Sequence, residues 1–137
     1  DHYASTDVVE KYKQPMASQH ILYSIEGKVG EVAILTKSEN CVIKNHVEWV
    51  RAVDEKDAIW IYLCLTSTIG RTQAKMHTVV QATIPGISSK LRKFMIPMNS
   101  KKQSTFNAFR QELVDGVKSS LEKRNMAINT LRELMAA

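Results

Sequence analysis

The sequence is poor in the residues that staple or punctuate small folds. It has two cysteines, three prolines and five glycines in 137 residues. Cys41 and Cys64 are far apart and sit inside apolar patterns, so neither a disulfide framework nor a CxxC metal site is expected. Buried free thiols in a reducing compartment fit this usage. There is no N-x-S/T sequon, which fits an intracellular protein, cytoplasmic or peripheral to a membrane. Apolar runs all fall short of the roughly 18 residues that a membrane-spanning helix needs. Aromatic residues make up only 7%, which weighs against a stacking surface of the RNP type. The four histidines, at positions 2, 20, 46 and 77, have no HExxH or other ligand spacing. Gly27 and Gly30 lack the rest of a phosphate-binding loop and read as turn glycines. No catalytic residue, metal site or cofactor is therefore expected. An enzyme could still bring Glu31, His46, Glu48 and His77 together, but their spacing does not require it.

What remains is enough for one domain with a core: 137 residues, 44% hydrophobic. The first residue is Asp1 rather than Met, as expected of a fragment or a processed form. Charge is unevenly placed. Residues 1–89 hold nine Lys/Arg against ten Asp/Glu, and residues 90–137 hold ten against four. The net charge of +5 thus belongs to the last third. Such a field suits an anionic partner, whether phospholipid headgroups, nucleic acid or an acidic protein; a solvated helix face is the plain alternative.

The clearest element is a long helix over roughly residues 105–135. Phe106, Phe109, Leu113, Val117, Leu121, Ile128, Leu131 and Met135 recur at steps of three, four or seven. Ser104 or Thr105 could cap it. Gly116 in its middle marks close packing or a bend. Residues 1–19 read as an arm or a short helix capped by Thr6 or Asp7 and stopped before Pro15. Residues 20–84 read as five antiparallel strands: 20–25, 29–36, 41–53, 58–65 and 75–84. Residues 37–40 form a polar turn and Asp54-Glu55-Lys56-Asp57 a hairpin loop. Residues 87–96 read as a short helix, so that 87–135 forms a basic helical region.

The third strand alternates, with Ile43, Val47, Trp49 and Val53 on the face expected to point inward. Asn45 and Arg51 share that parity. A buried guanidinium needs a partner or a ligand, so Arg51 is a satisfied core cation, a strand-end residue reaching solvent, or a polar contact in a cavity. The stretch Lys90-Leu-Arg-Lys-Phe-Met-Ile-Pro-Met, followed by Lys101 and Lys102, mixes cations with apolar side chains. It could meet an anionic membrane through Lys90, Arg92, Lys93, Phe94, Lys101 and Lys102, or pack as a helix on the sheet edge.

These elements predict an α+β fold: one curved antiparallel sheet of about five or more strands, packed against a long C-terminal helix. The succession KMHTVVQATIPG, ISSKLRKFMIP, STFNAFRQELVDGVKSSLEKR resembles the C-terminal half of START-like, Bet v 1-like helix-grip domains. The likeness lies in the order of elements over about residues 40–130. It implies a sheet-lined cavity closed by the last helix, and a hydrophobic ligand such as a lipid or sterol. Val47, Trp49, Arg51, Ile61, Leu63, Phe109, Leu113 and Val117 would line it, with Asn45 or Arg51 meeting a headgroup or hydroxyl. These are also good core positions. The expected function is thus a binding or transfer module for a hydrophobic ligand that docks on anionic membrane. A nucleic-acid-binding or structural protein that assembles through its basic C-terminal helix, as a homo-oligomer, is the alternative. Arg110, Lys118, Lys123, Arg124 and Arg132 would then be phosphate contacts.

Overall fold

Asp54 decides the centre of the fold. In the computed structural model, which describes residues 5–35, 37–43, 45–81, 84–98 and 103–136, its carboxylate accepts from the Asp57 amide at 2.8 Å. That contact caps a helix rather than closing a hairpin. Helix α2 (Glu55–Thr66) therefore occupies the stretch expected as the fourth strand. It passes at Ser67 into α3 (Thr68–His77), which takes the start of the expected fifth strand. Residues 58–65 are apolar at every position, so they carry no period to separate a strand from a helix. Ala58, Ile59, Trp60, Cys64 and Leu65 are buried.

The fold is α+β with antiparallel sheets and a long C-terminal helix. Among the described residues the strands form three small sheets rather than one curved sheet. Helix α1 (Thr6–Tyr12) precedes β1 (Gln14–Met16), which pairs with β4 (Glu39–Cys41). That pairing makes a strand of part of the expected polar turn. The central sheet runs β3–β2–β5, with β2 (His20–Ser24) between β3 (Val32–Ile34) and β5 (Val47–Arg51). The expected 41–53 strand is thus divided between β4 and β5. Gly27 and Gly30 carry positive φ, +75° and +97°, in the β2–β3 connection, where a Cβ is costly and glycine is not. After α3, β6 (Val79–Gln81) and β7 (Ile84–Gly86) make the third sheet. The expected helix over 87–96 is a 3-10 helix, Ser88–Lys93.

Which face of the central sheet is buried follows from β2. Ile21 and Tyr23 are fully buried, and their partners across the ladder are Val50 and Glu48. Directly opposed residues share a face, so the core side of β5 is the even set. Val47, Trp49 and Arg51 oppose Ser24, Leu22 and His20 on the other side. The expected inward set is the outward one, because α2 and the 3-10 segment bring Ala58, Leu65 and Ile87 onto Ile21 and Tyr23.

The chain divides into two compact units, Asp1–Ile96 and Pro97–Ala137. The second contains α4 (Ser104–Ala136), 33 residues and about 50 Å long at the usual helical rise. Its length and position match the sequence expectation. No helix among the described residues is long and apolar enough to cross a membrane.

Candidate functional site

The first unit carries an open groove of about 440 Å³. Strand β5 supplies Glu48, Trp49 and Val50, and α2 supplies Ile61 and Leu65. Leu91 and Arg92 of the 3-10 helix, with Phe94 and Ile96 beyond it, complete the wall. Ile61 and Leu65 are four apart on a helix and so share one stripe. Leu63, two residues from each, is half-buried on α2 away from that stripe.

The rim is aromatic and fixed. Trp49 is 44% exposed and lies against the His20 ring, with centroids 5.5 Å apart. His20 is buried, and its Nδ1 accepts from the Ala17 amide at 3.0 Å, so the ring that backs Trp49 is anchored. Phe94 stacks on His77, centroids 5.6 Å apart, and meets the edge of Tyr23 at 5.9 Å. Beside it, the Gln73 side chain acts as a strand backbone would. Its Oε1 accepts from the Met95 amide at 2.6 Å, and its Nε2 donates to the Met95 carbonyl at 2.9 Å. Helix α3 thereby holds the extended segment that forms one wall of the groove.

Several cations of this unit have no carboxylate partner among the described residues, although Glu48 lines the groove together with Arg92. Among the described residues the ion pairs are Lys13–Glu10 and Lys28–Glu31, and the His46 ring Nδ1 lies 2.7 Å from a Glu26 carboxylate oxygen. Among the described residues, Arg51, Arg71, Lys75, Lys90, Arg92 and Lys93 pair with no carboxylate. The Lys28 ammonium is held above its ordinary pKa by its hydrogen bond and charge contact with Glu31. No group of three or more His, Cys, Asp or Glu residues among those described could hold a metal ion.

The structure brings together Trp49, Ile61, Arg92 and Phe94 from the sequence-derived set. Asn45 lies exposed in the turn before β5, Val47 is half-buried at its start, and Arg51 is exposed at its end. Lys90 and Lys93 belong to the 3-10 helix, Lys90 half-buried and Lys93 exposed. Lys101 and Lys102 lie outside the described residues. Glu48, Val50, Leu65, Leu91, Ile96 and the clasp residue Gln73 were not anticipated.

In the second unit, Phe109 and Leu113 are exposed and Val117 is half-buried on α4. Val114, Leu121, Ile128 and Met135 recur every seven residues, with Val117 and Leu131 three after the first and third of them. This is a heptad seam interrupted by Arg124. Towards its end the seam is bare, with Leu131 and Met135 both exposed. No protein-family model matches this sequence, and no curated protein matches it.

Proposed function

We propose that this chain is a nucleic-acid-binding module that assembles through α4. The observation that carries the reading is the exposed Trp49 in a groove that also holds Arg92. Arg92 has no carboxylate partner among the described residues, and neither do Lys90 and Lys93 of the same 3-10 helix. Partnerless cations attract phosphates, and an open aromatic-lined groove accepts the face of a base. The second unit is cationic in its own right, with seven Lys/Arg against four Asp/Glu in residues 97–137. Assembly is supported by the heptad seam, since a bare apolar stripe on a long helix is stabilised by a second helix.

The test is fluorescence anisotropy with labelled duplex and single-stranded oligonucleotides over a range of salt. Binding should be saturable and fall with salt, with a slope of about −0.9 per phosphate contacted on duplex and about −0.7 on a single strand. Trp49→Ala should cost about 1–3 kcal/mol, the usual worth of a stacked base. Arg92→Gln should reduce the salt slope by about one contact. Absence of saturable binding at low salt, or binding indifferent to both substitutions, would end this reading. Sedimentation over a range of concentration tests assembly.

A second reading rests on the carbon-rich wall of the groove, from Ile61, Leu65, Leu91, Phe94 and Ile96. Its volume lies within the roughly 300–1,000 Å³ of small-molecule pockets. A lipid or sterol could occupy it, with Lys90, Arg92, Lys93 and Phe94 docking on anionic membrane. The helix-grip arrangement behind that expectation needs sheet in residues 58–65, where the chain forms α2, so the groove alone supports this reading. A lipid that co-purifies at one-to-one stoichiometry in native mass spectrometry would favour it.

A further inference from the structure

A second cavity of about 320 Å³ opens on the α3 side of the first unit. Arg71 and Lys75 stand one helical turn apart on its wall, opposite Tyr23 and Gly30. Like charges at this spacing repel, yet neither has a carboxylate partner among the described residues. Tyr23 is only 1% exposed as a residue, but its hydroxyl, which has no hydrogen-bond partner among the described residues, is not an enclosed atom and keeps contact with solvent. That oxygen is therefore a donor open to the cavity and free to serve a ligand. The hydroxyl end lies beside Gly30, where a side chain would bring its Cβ to 3.5 Å from that oxygen. Gly30, at φ +97°, therefore keeps the approach to the hydroxyl open. Burial pushes the Tyr23 pKa above its ordinary value, so the group remains a proton donor throughout the neutral range. Thr78 is already committed, its hydroxyl donating to the Ala74 carbonyl at 2.5 Å.

The pocket thus combines two cationic groups and one unengaged hydroxyl donor with an apolar remainder of Val29, Leu65 and Ala74. That chemistry selects an anion with several acceptor oxygens joined to an apolar or aromatic body. We propose that the Tyr23–Arg71–Lys75 pocket binds a small phosphate monoester carrying such a body, either as a free mononucleotide or as the terminal phosphate of a nucleic-acid strand. The site is separate from the Trp49 groove, with Leu65 the wall residue they share, and it does not depend on the nucleic-acid reading.

The experiment titrates the full chain with inorganic phosphate, with adenosine monophosphate, and with an oligonucleotide bearing either a 5′-phosphate or a 5′-hydroxyl. One-to-one binding of the monophosphate, tighter than inorganic phosphate, is expected if the source is a free mononucleotide. A preference for the 5′-phosphorylated strand is expected if the source is a strand end. In either case Tyr23→Phe should weaken binding about tenfold, the worth of one hydrogen bond to a charged group. Its melting temperature should be unchanged or raised, because the hydroxyl it removes makes no bond within the fold. The exposed double substitution R71Q/K75Q should abolish binding. Failure of all the phosphate probes to bind, or binding that survives both Tyr23→Phe and R71Q/K75Q, would overturn the proposal.

Discussion

Gln73 offers a direct test of how the groove is held open. Its side-chain amide makes both hydrogen bonds that a neighbouring strand would make to Met95, at 2.6 and 2.9 Å. Gln73→Ala removes both. Each is worth about 0.5–1.5 kcal/mol net, and water can replace part of each at this exposed position. The expected loss is therefore about 1–2 kcal/mol, concentrated in the segment that carries Phe94 and Ile96. If that loss appears as local opening, the Met95 amide should exchange with solvent about tenfold faster, since about 1.4 kcal/mol is a factor of ten. Amides of the central sheet should keep most of their protection, because Ala58, Leu65 and Ile87 still cover Ile21 and Tyr23 when the Phe94 contact loosens. Gln73→Glu separates the two bonds: a carboxylate still accepts from the Met95 amide but cannot donate to its carbonyl. It should fall between wild type and alanine. Hydrogen exchange read residue by residue by NMR is the assay. Met95 exchange in Gln73→Ala equal to wild type would refute the clasp.

The remaining predictions concern stability. A Cβ at Gly70 would collide with the Leu65 backbone, so Gly70→Ala should destabilise the first unit by about 3 kcal/mol, the upper end of overpacking costs, in chemical denaturation. A Cβ at Gly116 meets nothing within 4 Å, so Gly116→Ala in α4 should stabilise that helix by up to about 1 kcal/mol, read from its helical melting signal. Asp54→Ala, which loses the α2 cap, should cost about 1 kcal/mol by the same denaturation measurement. Tyr23 is pushed above its ordinary pKa of 10.0 by burial. The stability linked to it is fully present below about pH 10 and is lost as pH rises through the raised folded value. Tyr23→Phe should therefore flatten the alkaline fall in melting temperature.

Periodicity made α4 legible and left α2 hidden. Over 33 residues an apolar stripe repeats often enough to exclude any other reading. Residues 58–65 offer no stripe, and Ile59, Trp60, Ile61 and Tyr62 favour strands by intrinsic propensity. Burial of the helix in the core overrode that preference. The missed signal was Asp54-Glu55-Lys56-Asp57: an acidic N-cap with acidic residues in the first turn is a helix start, and it lacks the Asn-Gly or Gly-X pair that a tight hairpin prefers. The β5 face was misassigned for a related reason. Alternation shows which residues lie together, but not which set is covered, and here the covering element was itself read as a strand.

The groove shows the same division between what a pattern carries and what contact decides. Trp49, Arg92 and Phe94 could be marked from the pattern of their own segments and Ile61 from the helix-grip likeness, and all four line one groove. Gln73 could not, because its value lies in reaching Met95, 22 residues away. Charge is different in kind. Which segment carries it does not change when strands become helices, so the excess of cations in residues 90–137 is unaffected by every correction to residues 41–84. The cavity expected from a helix-grip order of elements depended on those residues forming a sheet. The proposed nucleic-acid reading rests on unpaired cations and one exposed indole rather than on enclosure. It is also the reading that a salt titration can most directly disprove, since phosphate contacts lose strength with counterion concentration while an enclosed apolar ligand does not.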